Sequence, residues 1–81
     1  MARAYILVNA QAGSAPSIQR ALEGHPGVRT ADLVIGSHDL VLVVEGADIQ
    51  EIAKFVLNEV HGTPGVSNTL TYPVVEASHE R

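Results

Sequence analysis

The stretch VIGSHDLVLVVEG, residues 34–46, decides the fold of this chain. Its apolar start breaks at Gly36-Ser37-His38-Asp39, and a longer apolar run follows from Leu40 to Val44. Glycine accepts positive φ, and Ser and Asp side chains bond to nearby backbone, so the break predicts the tight turn of a β-hairpin. The strand Leu40–Val44 has no polar residue on either face, and it therefore needs a cover on both sides.

The segments around this hairpin alternate between strands and helices. Ala4–Ala10 is also apolar on both faces, which predicts a second central strand. Pro73 cannot donate to a ladder, so the last strand is expected at an edge of the sheet. The predicted elements are a strand at Ala4–Ala10, a loop at Gln11–Ser14, a helix reaching about Glu23, strands at Val28–Ile35 and from Leu40, a helix between Asp48 and Gly62, and a strand at Val66–Val75.

An internal repeat joins the two halves of the chain. The motif Gly24-His-Pro-Gly-Val28 recurs as Gly62-Thr-Pro-Gly-Val66, and the same offset carries Ile18 onto Val56. Two such βαβ halves predict a ferredoxin-like βαββαβ fold of the α+β class, with an antiparallel sheet of order 4-1-3-2. Both helices would cover one sheet face. A twofold dimer with its sheets packed together would cover the other face.

Size and charge exclude several classes of protein. The 81 residues are expected to form one domain, structured over about residues 3–76 with 77–81 as a tail. The net charge is −4, and the five Lys and Arg residues are scattered, so no direct binding of nucleic acid is expected. No apolar run could span a bilayer and no signal peptide is visible, which predicts a cytoplasmic protein without membrane contact.

The motifs that could carry chemistry each have a plainer interpretation. Gly36–Asp39 could hold an amine and a carboxylate, or it could simply be a hairpin turn. Thr69 and Thr71 could bond to a ligand, or they could reflect the β-propensity of an edge strand. The four histidines lack a metal-ligand spacing, and no nucleophile or phosphate-binding motif is present. We therefore expect no metal, no cofactor and no enzymatic activity.

The motifs Gly36-x-x-Asp39-Leu and Pro64-Gly-Val-x-x-Thr69-x-Thr71, set in a βαββαβ chain, resemble the effector-binding domain of the Lrp/AsnC regulators. This domain is called RAM, for regulation of amino acid metabolism. The resemblance covers about residues 3–76 and is to the stand-alone type, since the helix-turn-helix of the family is missing. It implies a dimer through the sheets, rings of dimers such as octamers, and an amino acid bound between dimers.

The resemblance also implies which residues line the effector site. These are Gly36, Ser37, His38, Asp39, Thr69, Thr71 and Tyr72. Asp39 would orient the amine of the effector or the loop itself, and the threonines would meet its polar atoms. Strands two and four lie at opposite edges of a 4-1-3-2 sheet, so a ligand that touches both is expected between subunits. Full-length Lrp/AsnC regulators are possible partners for mixed assembly.

Two other classes share this fold. An ACT-like regulatory module would bind its ligand near the first strand–helix loop, which here is Gln11–Ser14. A small dimeric ferredoxin-like enzyme would need a polar or aromatic cleft, and this chain has no Trp and only Asn9 as a polar residue in its first strand.

Overall fold

The computed structural model of the chain describes residues 1–75. Its elements follow one another in the predicted order. They are β1 (Ala2–Ala10), α1 (Ala15–Glu23), β2 (Val28–Leu33), β3 (Leu40–Gly46), α2 (Ile49–Phe55) continuing as a π-helical segment (Val56–Val60), and β4 (Val66–Pro73). The tail predicted for residues 77–81 lies outside the described residues.

The four strands form one antiparallel sheet of order β2-β3-β1-β4. This confirms the predicted 4-1-3-2 order, with the two doubly apolar strands in the centre. It also confirms β4 as an edge strand, where the missing N–H of Pro73 costs little because it is the last strand residue.

The core lies between the helices and one face of the sheet. The even-numbered residues of the central strands point into it and are fully or almost fully buried: Ala4, Ile6, Val8, Leu40, Leu42 and Val44. The repeat positions Ile18 and Val56 are both buried against them. Side chains alternate between the two faces along a strand, so these even-numbered residues all lie on the face that the helices cover.

The start of α2 is fixed by a capping box formed by Asp48 and Glu51. The Glu51 N–H donates to the Asp48 carboxylate at 2.9 Å, and the Glu51 side chain accepts from the Ala47 N–H. Two N–H groups that the helix itself cannot bond are thereby satisfied. The first turn of α2 therefore begins at a defined residue, directly after Asp48.

Two element ends differ from the predictions. Strand β2 stops at Leu33 and β4 stops at Pro73, so the predicted strands were two residues too long at each of these ends. Part of the apolar stripe of each helix also lies outside the core, since Ala21, Ile49 and Ala53 are exposed. The cause is the angular position of each residue, because the sheet is too narrow to cover the whole apolar stripe of either helix.

The second sheet face carries neither helix and is apolar in its central part. Register and alternation place six apolar side chains of β1, β3 and β4 there: Tyr5, Leu7, Val41, Val43, Leu70 and Tyr72. On the same face, β2 contributes the polar residues Thr30 and Asp32 beside Val43 and Val41. Tyr5, Leu70 and Tyr72 are between 42 and 54% exposed. We call these six residues the open sheet face.

Candidate functional site

Asp39 ends the hairpin turn and joins it to the central strands. Its backbone N–H donates to the Val8 carbonyl at 2.9 Å, and its carboxylate accepts from the Ala10 N–H at 2.7 Å. Its own carbonyl accepts from Val34 N–H at 3.0 Å. The carboxylate thus adds one hydrogen bond beyond the last pair of the β3–β1 ladder and attaches the end of the turn to β1.

The rest of the turn is held from β1 by Asn9, a residue outside the predicted site motifs. The Asn9 side-chain amide donates to the Ser37 carbonyl at 2.8 Å. The Ser37 hydroxyl lies 3.2 Å from Nδ1 of His38, and Gly36 has a φ of +153°, a conformation that favours glycine. The turn is therefore ordered, while Gly36 and Ser37 stay exposed to solvent. In the sequence, Asn9 could have been recognised as a candidate because it is a lone polar residue inside an otherwise apolar strand.

Thr69 meets a histidine at the end of the second helix. Its hydroxyl lies 2.9 Å from Nε2 of His61. The π-helical turn that precedes His61 widens the helix end, and the Thr63 hydroxyl closes that end by donating to the Glu59 carbonyl at 2.7 Å. π-helical turns are rare and frequently accompany functional sites. His61 was not among the predicted site residues, and its contact with Thr69 follows from tertiary structure.

Thr71 and Tyr72 lie on opposite faces of β4. Thr71 faces a groove between α2 and β4 with a volume of about 350 Å³. Tyr72 pairs with Tyr5 across the strands and belongs to the open sheet face. This confirms the predicted alternation, but it also separates two residues that were assigned to one site.

The seven predicted residues thus occupy three places in one chain: the hairpin turn, the helix side of β4, and the open sheet face. The expectation that the turn and β4 are far apart was only partly right. Leu40, the residue after Asp39, and Thr69 both pair with Val8 of β1. Leu40 and Thr69 are therefore level with each other on the two sides of β1, and two strand spacings put them roughly 10 Å apart. The reason is that the turn ends on a central strand, although it begins at an edge.

Comparison with known proteins identifies the class. The chain matches the Lrp/AsnC ligand binding domain over residues 3–81. It therefore belongs to this family of regulatory domains, as the turn and last-strand motifs predicted. Family membership gives the chain a regulatory, effector-binding role, and it favours this interpretation over the ACT-like and enzyme alternatives.

Individual relatives agree with this assignment. TTHA0845 from Thermus thermophilus is 25% identical and superposes with a TM-score of 0.90, covering 99% of this chain and 100% of that one. The HTH-type transcriptional regulator PH0140 of Pyrococcus horikoshii is 29% identical over 68 residues, which is 84% of this chain and 43% of the regulator. The chain thus spans less than half the length of this curated relative.

A second solved structure shares the fold. The transcriptional regulator NMB0573 of Neisseria meningitidis, in its complex with L-Met, has a TM-score of 0.83 at 21% identity over 98% of this chain and 53% of that one. In residues 1–75 of our protein, no group of three His, Asp or Glu residues could hold a metal ion. No helix in this part is long and apolar enough to cross a membrane.

Proposed function

We propose that this protein is an amino-acid sensor of the Lrp/AsnC type, which assembles through its sheets and binds a free amino acid between dimers. It acts in the cytoplasm by binding alone, without catalysis. The family match supports the effector-binding part of this proposal. The L-Met complex of the Neisseria regulator supports an amino acid as the kind of effector.

The observation that carries the proposal is the ordered, exposed turn at Gly36–Asp39. Hydrogen bonds from the Asn9 side chain and to the Val8 carbonyl attach the turn to the central strand β1. Such preorganisation lowers the entropic cost of binding. The Asp39 carboxylate has lone pairs beyond the one that the Ala10 N–H uses, so it can also accept from a ligand amine.

The open sheet face supports the assembly part. Its six apolar residues lie at the centre of the face, and Arg3 with Glu45 at one end and Asn9 with Asn68 at the other frame them. An apolar centre with a polar rim is the usual build of a protein interface. A second copy packed sheet on sheet would remove this face from water.

The regulatory output follows from the thermodynamic linkage between effector binding and assembly. An effector that bridges two dimers binds the assembled state more tightly than the separate dimers, so it shifts the population towards assembly. Full-length Lrp/AsnC regulators that share this domain are the partners through which such a shift would reach transcription.

The test is calorimetry against a panel of the common amino acids. We expect wild type to bind at least one of them. Asp39→Asn keeps an oxygen acceptor for the Ala10 N–H but removes the charge. Losing a charge-assisted hydrogen bond costs about 1.5–3 kcal/mol, so we expect the affinity of Asp39→Asn to fall about tenfold to a hundredfold.

The matched comparison is Asp39→Ala, which removes both the charge and the acceptor. It should lose affinity and stability together, whereas Asp39→Asn should unfold in urea near the wild-type midpoint. A wild type that binds none of the amino acids would remove the sensor proposal. Binding by Asp39→Asn at the wild-type affinity would show that the turn is not the site.

A further inference from the structure

His61 and Thr69 form a polar pair where the second helix ends beside β4. Nε2 of His61 lies 2.9 Å from the Thr69 hydroxyl oxygen. His61 is exposed and Thr69 is half-buried, so the pair can be reached from solvent. Thr69 is one of the site residues that the family motif predicts, whereas no motif includes His61. The pair therefore joins an expected site residue to a group that can become charged.

The backbone on both sides of His61 is held by hydrogen bonds. The His61 N–H donates to the Val56 carbonyl at 2.9 Å across the wide π-helical turn. Two residues later, the Thr63 N–H donates to the Val60 carbonyl at 3.1 Å, and the Thr63 hydroxyl donates to the Glu59 carbonyl at 2.7 Å. The imidazole therefore extends towards Thr69 from an ordered helix end.

Positive charge is scarce around this pair. Residues 55–75, which include the helix end, the following loop and β4, contain no Lys or Arg. Arg3 and Arg29 both lie beside Glu45, at the other end of the central strands. His61 is therefore the residue of this stretch that can carry a positive charge.

The elements around His61 hold few other charged groups in the part of the chain that the structure describes. Glu59 is the charged residue of its own helix end. The following loop and β4 hold none, and neither does the part of β1 that pairs with β4. The tyrosines of these two strands point to the open sheet face, and Asp39 lies on the far side of β1. Imidazole is the side chain whose ordinary titration falls between about pH 5 and 8, so His61 is the group near Thr69 that changes its charge there.

We propose that His61 and Thr69 together bind the carboxylate of the amino-acid effector, with His61 both orienting the Thr69 hydroxyl and supplying the charge. This role of His61 rests on the proposed function, in which Asp39 accepts from the amine of the effector. A hydroxyl has one hydrogen to donate and two lone pairs that accept. A doubly protonated imidazole can only donate, so it leaves the Thr69 hydrogen free for a carboxylate oxygen.

The two charge states of His61 therefore differ in what Thr69 offers to a ligand. A neutral ring can accept the Thr69 hydrogen at Nε2, which withdraws that hydrogen from the carboxylate. The cationic ring donates instead, and it adds a charge-assisted interaction that is roughly twice as strong as a neutral hydrogen bond. Because a bound carboxylate favours the protonated ring, the affinity for the effector should rise as the pH falls through the ordinary range of imidazole titration.

The test is calorimetry at about pH 5.5 and at about pH 8, on the two sides of that range. The probes are the common L-amino acids and, for each one that wild type binds, its amino alcohol, in which a hydroxymethyl group replaces the carboxylate. We expect wild type to bind the amino acid about fivefold to tenfold more tightly at the lower pH, which is the difference between a charged and a neutral hydrogen bond. The amino alcohol should bind equally at both pH values.

His61→Gln is the main variant, because the glutamine amide can hydrogen-bond to Thr69 from the position of Nε2 but cannot become charged. We expect it to bind as wild type does at the higher pH and to lose the increase in affinity at the lower pH. His25→Gln is the matched control. The His25 ring packs on Phe55, with the two ring centroids 4.6 Å apart, and it is not a predicted site residue, so this variant should keep the wild-type pH dependence.

A wild-type pH dependence in His61→Gln would overturn the role of His61. An equal loss of affinity at both pH values, together with a lower urea midpoint, would also overturn it, because a purely structural residue behaves in that way. Asp39→Asn separates these failures from failure of the proposed function. If Asp39→Asn weakens binding and His61→Gln does not change the pH dependence, the sensor proposal stands and only the role of His61 is wrong. A wild type that binds no amino acid at either pH would remove both.

Discussion

At the scale of single residues, Glu45 illustrates how position sets the behaviour of a charge. It lies at one end of the open sheet face, with its side chain only 16% exposed. Both Nε and Nη2 of Arg3 donate to it, at 3.1 and 2.7 Å, and Arg29 lies 3.7 Å away. The hydrogen bonds from Arg3, with a smaller contribution from Arg29, hold the pKa of Glu45 below its ordinary value of 4.5.

This lowered pKa predicts a pH-dependent contribution to folding. The ionised carboxylate is favoured in the folded state, so the stabilisation is complete above pH 4.5 and disappears as the pH falls through the lower, folded-state pKa of Glu45. We expect Arg3→Gln to lower the urea midpoint at pH 7, and the size of this effect should decrease as the pH falls below 4.5. Arg29→Gln is the control and should have a smaller effect at pH 7. An Arg3→Gln effect independent of pH would contradict this assignment.

Asp39 shows that one residue can satisfy two interpretations. Its carboxylate accepts from the Ala10 N–H, as expected of a plain turn residue. A carboxylate has about four acceptor positions, so the remaining ones could also accept from a ligand amine. The structural role and the proposed ligand-binding role of Asp39 are therefore compatible.

At the scale of elements, the internal repeat is less symmetric in structure than in sequence. Gly24 and Gly62 occupy equivalent positions, but a Cβ on Gly24 would meet no atom within 4 Å, whereas a Cβ on Gly62 would lie 2.5 Å from the Asn58 carbonyl oxygen. Gly65 has a φ of +97°, and its equivalent Gly27 has no positive φ. A Cβ on Gly62 would thus meet the end of the second helix, whereas a Cβ on Gly65 would lie 2.6 Å from the Cβ of Ser14, so both glycines are required for steric reasons.

This difference makes the two glycines a matched pair. Gly62→Ala should destabilise the protein by about 1–3 kcal/mol, the usual cost of overpacking, because a backbone oxygen cannot move aside easily. Gly24→Ala should be neutral or slightly stabilising, since its conformation suits any residue and alanine restricts the unfolded chain. Urea unfolding of the two variants measures both. An equal change in the free energy of unfolding for both variants would indicate that the backbone near Asn58 can move away from the new Cβ at Gly62 without cost.

At the scale of the whole molecule, the helices cover one face of the sheet and leave the open sheet face without a cover from this part of the chain. Its six apolar residues lie on β1, β3 and β4, opposite the helices. The proposed sheet-on-sheet dimer would bury this face.

The role of the open sheet face can be tested by substitution. Leu70 lies on the open sheet face and is 42% exposed, so Leu70→Asp should leave the single chain folded. Burying an unpaired charge at an interface costs several kcal/mol, and we expect the proposed sheet dimer to weaken more than about a hundredfold. Sedimentation velocity at micromolar concentration would then detect no sheet dimer. Leu57 is exposed on the helix side, so Leu57→Asp is the control and should keep the dimer. A Leu70→Asp protein that remains dimeric would place the dimer contact elsewhere.

The sequence by itself determined the order of the elements, the sheet order and the family. These depend on local signals: doubly apolar strands at Ala4–Ala10 and Leu40–Val44, the capping box at Asp48, Pro73 in an edge strand, and the turn motif at Gly36–Asp39. Each signal acts within a few residues, so it can be recognised without knowing what the rest of the chain contacts.

Tertiary structure alone decided which atoms meet. The contacts of Ala10 with Asp39, of Asn9 with Ser37 and of His61 with Thr69 join residues far apart or on different elements, and no spacing in the sequence encodes them. The same is true of exposure: Ile35 and Ile49 match strand and helix patterns, yet both lie outside the core because a four-stranded sheet ends before it can cover them. Periodicity gives the direction of a side chain, but only packing decides whether a neighbour is there to bury it.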